Sequence, residues 1–84
     1  MYQITKYSYD KAKELGVNIK PSKTKNKKID VFKNGTKVAS IGDIRYSDYA
    51  TTKNQEQRRL YRLRHKKEKN KIGTPGFYAY NLLW

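Results

Sequence analysis

Alternation of apolar and polar positions is clearest in KIDVFKNGTKVASIG, residues 28–42. Two short runs of this kind flank Asn34-Gly35, a dipeptide whose tolerance of positive φ suits a two-residue type I′ turn. The pattern predicts a β-hairpin over about residues 28–41. A plain two-residue turn sets Val31 opposite Val38. A bulge that shifts the pairing by one residue gathers Ile29, Val31, Ala39 and Ile41 on one apolar face instead. The second arrangement buries more, and the sequence leaves both open. Two strands are marginal in water alone, so the apolar face must be covered by another part of the chain.

Upstream the period becomes helical. Tyr9, Ala12 and Leu15 share a face in SYDKAKELGVNIKPS, with Ser8 as a cap, Asp10 in the first turn and Gly16 as terminator, which predicts a short N-terminal helix. Val17 and Ile19 then read as an extended exit towards Pro21. Residues 42–52 have no clean period and read as an ordered loop, with Ile44, Tyr46 and Tyr49 packing back and Asp43 and Asp48 as turn or cap residues. Residues 53–70 contain neither glycine nor proline, and Thr52 and Gln55 have capping-box spacing. A longer helix is expected there, with a narrow apolar stripe at Leu60 and Leu63. Thr74 followed by Pro75 opens a short aromatic C-terminal helix that sets Phe77, Tyr80 and Trp84 roughly on one face. The elements describe one small α+β domain over residues 1–84.

Charge changes this picture. The chain has 20 Lys and Arg against 7 Asp and Glu, a formal net charge of +13, and only 36% hydrophobic residues. Like charges at that density oppose compaction, and a chain of this length has little core to resist them. Aromatic residues make up 13% of the sequence, which separates it from ordinary disordered tails. Residues 20–28 carry five lysines and no acid, and read as a basic arm, either flexible or ordered by a partner. On a continuous helix Arg58, Arg59, Arg62, Lys66 and Lys69 fall within about one quarter of the circumference. The candidate anion- or partner-binding residues are therefore these five with Lys20, Lys23, Lys25, Lys27 and Lys28. Phe77, Tyr80 and Trp84 are the aromatic anchors, read first as core and second as a plug for a partner's groove. Tyrosines beside basic residues, Tyr46 and Tyr61 among them, also have the chemistry to stack on single-stranded bases.

Catalytic chemistry is not evident. There is no cysteine, and the single histidine, His65, lies among Arg62, Arg64, Lys66 and Lys67. No thiolate or multi-histidine metal site follows from such a set. The carboxylates are scattered, and GTPG lacks the features of a phosphate-binding loop. The expectation is no enzyme activity, no cofactor, no metal and no small-molecule substrate. No apolar run approaches the roughly 20 residues that cross a bilayer, so no membrane span is expected, and the N-terminus lacks the apolar stretch of a signal peptide.

Three stretches, GVNIKPSKTKNKKIDVFKNGTKVASIG, RRLYRLRHKKEKN and GTPGFYAYNLLW, give the chain its order of hairpin, basic helix and aromatic end. In these the sequence resembles an uncharacterised family of small basic proteins from giant (nucleocytoplasmic large) DNA viruses of algae and amoebae, over roughly residues 14–84. That family supplies no activity or site residues. The resemblance implies a viral setting: a protein made in the host cytoplasm and located in the virion. Within it, the expected function is a minor capsid or cement component that bridges acidic faces of coat or other virion proteins. The alternative is a sequence-nonspecific, genome-condensing protein that holds DNA or RNA phosphates on the Arg58–Lys69 helix face.

Overall fold

The apolar face of the hairpin fixes where the core lies. In the computed structural model, which describes residues 2–84, β2 (Ile29–Lys33) and β3 (Thr36–Ile41) are antiparallel strands joined by Asn34 and Gly35. Both turn residues have positive φ, 53° and 81°, as a type I′ turn requires. Ile29 pairs with Ile41 and Val31 with Ala39, but Phe32 pairs with Lys37, so the register shifts between Val31 and Phe32. Val38 is the extra residue and remains 38% exposed, while Ile29, Val31, Ala39 and Ile41 are buried. Of the two registers open to the sequence, the chain adopts the bulged one because it places all four apolar side chains on one face.

The expected hairpin is in fact part of a three-stranded sheet. β1 (Asn18–Pro21) pairs antiparallel with the free edge of β2, setting Ile19 opposite Val31. Proline, which has no N–H to donate, is tolerated there because β1 is an edge strand.

Two helices cover the apolar face. α1 (Lys6–Leu15) begins one turn earlier than Ser8 would place it, and Thr5 occupies the cap position. Ser8 is fully buried and donates its hydroxyl to the Leu82 carbonyl at 2.7 Å. The inward face of α1 carries Ser8, Ala12 and Leu15, whereas Tyr9 is 49% exposed. Small side chains at Ser8 and Ala12 let the second helix approach closely. α4 (Pro75–Leu82) starts as predicted, with Thr74 Oγ1 accepting from the Phe77 N–H at 3.2 Å and Pro75 at the first helical position. It sends Tyr78 and Leu82 into the core, followed by Leu83.

The basic helix is shorter than expected. Asp48 caps a single turn, α2 (Tyr49–Thr52), by accepting from the Thr51 N–H at 2.8 Å. α3 (Gln55–Arg64) is then capped by Asn54, not by the Thr52–Gln55 box, through the Gln57 N–H at 3.0 Å. The expected continuous helix over 53–70 breaks at His65, and Lys66–Asn70 winds on as a tighter 3₁₀ turn. Continuing the α-helix would stack Arg62 on Lys66, a repulsive spacing of four residues. The tighter turn instead brings Glu68 to 3.7 Å from Lys71.

Gly42 locks the end of β3 against these layers. Its φ is +77°, and a Cβ there would lie 2.9 Å from both Leu83 Cδ1 and the Lys28 side chain. Gly42→Ala is expected to lose about 2–4 kcal/mol, from left-handed strain plus overpacking. Gly35→Ala, at a similar φ with nothing within 4 Å, should lose only about 1–2 kcal/mol. Urea unfolding of both variants checks the difference. Equal losses would mean that the Leu83 contact relaxes freely.

Candidate functional site

All seven acids are engaged within the fold. Six make ion pairs: Asp10 with Lys6, Glu14 with Lys11, Asp48 with Lys28, Asp43 with Arg45, Glu56 with Arg59, and Glu68 with Lys71. The seventh, Asp30, accepts from the Ser22 and Ser40 hydroxyls, each at 2.6 Å. Burial works to raise its pKa, but those hydrogen bonds and nearby Lys37 outweigh it and hold the carboxyl below the usual range. Hydrogen bonds from Arg45 hold Asp43 down at about 2. With 20 cationic side chains and six paired, 14 have no Asp or Glu partner among the described residues. The fold thus concentrates its acids on a few internal tasks and leaves its cations in excess at the surface.

The candidate residues divide sharply. Lys28 is not a surface anion-binding residue: it is 4% exposed, and its Nζ donates to Asp48 at 2.7 Å and to the Tyr46 carbonyl at 2.6 Å. The segment around it is not a free arm either. The Ser22 N–H donates to the Lys28 carbonyl, Thr24 N–H to Ser22 Oγ, and Ile44 N–H to the Asn26 carbonyl, each at 3.0 Å. Lys23, Lys25 and Lys27 project from this closed loop, and Lys20 from β1, where its Nζ sits over Phe32. The Cα radius of gyration, 11.8 Å, matches the ~12 Å of a compact chain of this length.

The stripe from Arg58 to Lys69 is also divided. Arg58 and Arg62 donate to the Trp84 carbonyl at 2.8 and 3.1 Å, and their guanidinium groups lie over the Tyr49 and Tyr80 rings. These two arginines tie α3 to the end of α4. Arg59 is paired with Glu56. Lys66 and Lys69 are exposed on the 3₁₀ turn, where a repeat of three residues aligns them. Arg64 and Lys67, absent from the original set, are exposed beside them and have no ion-pair partner among the described residues.

A groove of about 610 Å³ opens between the Gly42–Ser47 loop and α3, a size that suits a small organic group. Tyr46, Gln57, Leu60, Tyr61, Arg64 and Trp84 line it. Tyr61 is sandwiched in a stack of three rings, 4.3 Å from Trp84 and 4.2 Å from His65. Burial, with Glu68 and Tyr80 nearby, raises the Tyr61 hydroxyl above its ordinary pKa, so the ring stays neutral at physiological pH. Arg64 stands at the helix edge of the groove, and Asp43, paired with Arg45, lines its loop side. Phe77 and Tyr80 do not line this cleft. Tyr80 is buried and Phe77 packs against the core. The second aromatic wall is instead Tyr46, 70% exposed.

Among the described residues, no cluster of three or more His, Asp or Glu has the geometry for a metal ion, and no helix is long and apolar enough to cross a membrane. The fold and cleft define a small α+β module with an aromatic groove that Arg64 edges. Residues 17–65 match DUF5754, a family of unknown function, and the chain belongs to that family. The matched span holds the sheet, the Lys28–Asp48 pair and α3, whereas α1 and α4 lie outside it. No curated protein and no solved structure matches the chain.

Proposed function

We propose that this protein is a non-enzymatic binding module that holds nucleic-acid phosphates without reading sequence. The observation that carries it is the charge balance: every Asp and Glu is engaged within the fold, and 14 cations have no Asp or Glu partner among the described residues. Such a surface gives phosphate affinity and steep salt dependence. The phosphate-binding residues in this reading are Arg64, Lys66, Lys67 and Lys69, with Lys23, Lys25 and Lys27 on the loop between β1 and β2. Arg58 and Arg62 serve the fold instead. The setting we propose, from the resemblance to giant DNA virus proteins, is the virion, with synthesis in host cytoplasm.

A second reading, a minor capsid or cement protein on acidic coat surfaces, is favoured by one feature. Leu63 and Ile72, on either side of the 3₁₀ turn, are 65% and 80% exposed. Apolar side chains beside cations suit a protein partner better than a phosphate backbone.

Salt titration distinguishes these. Replacing Arg64, Lys66, Lys67 and Lys69 with alanine should flatten the log–log salt slope of nucleic-acid binding by about 3–4. Arg58→Ala should leave the slope unchanged and lower stability. An unchanged slope in the quadruple variant rejects the assignment. Failure to bind nucleic acid even at low salt, with retention on coat protein after nuclease treatment of particles, moves the function to the cement reading.

A further inference from the structure

The groove holds more than charge, and this inference rests on the nucleic-acid reading above. Tyr61 has a ring on each face, so it offers nothing further for stacking. Trp84 uses one face against Tyr61, at an interplanar angle of 5°, and also lines the groove. Tyr46 stands on the opposite, loop side with 70% of its surface exposed. Its place is fixed by its own backbone, because the Tyr46 carbonyl accepts from the buried Lys28 ammonium at 2.6 Å. Leu60 and the amide of Gln57 also line the groove, and the Gln57 amide nitrogen makes no hydrogen bond among the described residues.

We infer that the groove is a base-binding slot: one unpaired base of a single-stranded nucleic acid enters it and stacks on Trp84 and Tyr46. Charge complementarity argues for this occupant over a neutral aromatic molecule or an apolar peptide. Arg64 lines the groove, has no ion-pair partner among the described residues and is placed for a phosphate beside an inserted base, while Asp43, on the loop side of the lining, is paired with Arg45. An aromatic platform inside a basic channel is the arrangement that favours single strands, because every base has a stackable face whereas duplex bases are covered. Gln57 adds a donor and an acceptor for a base edge. The slot therefore selects strandedness, while the outer lysines and arginines supply affinity common to all polyanions.

The test uses the full chain and Trp84, its only tryptophan, as reporter. A short oligothymidylate, the matching duplex and inorganic polyphosphate are titrated at one salt concentration. Binding is followed by competition against a labelled strand and by Trp84 fluorescence. The expected result is saturable quenching by oligothymidylate, with binding but no quenching by duplex and polyphosphate. Tyr46→Ala, at an exposed position that leaves the fold intact by circular dichroism, should weaken oligothymidylate binding roughly 5- to 100-fold and leave polyphosphate binding unchanged. Binding of all three without quenching, and with no effect of Tyr46→Ala, overturns the slot and leaves the phosphate reading standing. Binding of none overturns both.

Discussion

Lys28→Ala should destabilise the protein by about 3–5 kcal/mol, the cost of stranding a buried charge. The Asp48 side chain is 2% exposed and accepts from three groups: Lys28 at 2.7 Å, the Tyr2 hydroxyl at 3.0 Å and the Thr51 N–H at 2.8 Å. Only Lys28 brings a full positive charge. Its removal leaves the carboxylate with two neutral donors in a site closed to water, and also frees the Tyr46 carbonyl. Burial, together with the Asp48 charge, pushes Tyr2 up to about 12, so its hydroxyl stays a proton donor there across the ordinary pH range. A chain of this length has a total stability of roughly 4–13 kcal/mol, so the variant should be partly unfolded at the low end. Urea unfolding should show a lower midpoint at unchanged slope. Lys28→Met combined with Asp48→Asn should cost less than the sum of the two single changes, because neither charge is then stranded. A loss below about 1 kcal/mol for Lys28→Ala would mean that water reaches the pair, as at a surface ion pair.

This pair also shows what the sequence conceals. Lys28 is one of five lysines in a block of nine residues, and its partner lies 20 positions away. Nothing local distinguishes it from Lys27, which is exposed. Features decided by neighbouring residues were legible: the Asn34-Gly35 turn, the Thr74-Pro75 helix start and Gly16 as terminator, whereas the face of Ile29, Val31, Ala39 and Ile41 was one of two registers left open. Those decided across the chain were not. Asn18–Pro21 has two polar residues and a proline, and becomes a strand because β2 offers an unpaired edge. The break at His65 has no glycine or proline to announce it. Tyr61 and His65 stack across the end of α3, and the ring that completes the stack belongs to Trp84, far along the chain. The excess of cations is legible in the composition, but which of them stand exposed is not. Two of the arginines are drawn inward by a backbone carbonyl that no spacing rule locates.

Leu82→Ala should cost about 3–5 kcal/mol, the range for emptying a leucine-sized space in a close-packed core. Leu82 is fully buried in the cluster that joins α4 to the sheet and α1, and its carbonyl is the acceptor for buried Ser8. The backbone bond survives the substitution, so the loss reports side-chain packing. Because the net charge is +13, the same variant also tests the link between stability and binding. Self-repulsion acts against the folded state, and both salt and a bound polyanion relieve it. A ligand that binds only the folded protein adds about 2.7 kcal/mol when present at 100 times its Kd. Thermal unfolding of Leu82→Ala should therefore recover much of its midpoint with saturating oligothymidylate. Recovery of the same size with sodium chloride alone would trace the effect to screening. Recovery beyond that of salt requires contacts to the folded surface. If neither shifts the midpoint, the charge excess does not strain the fold, and oligothymidylate does not bind the folded protein in preference to the unfolded chain.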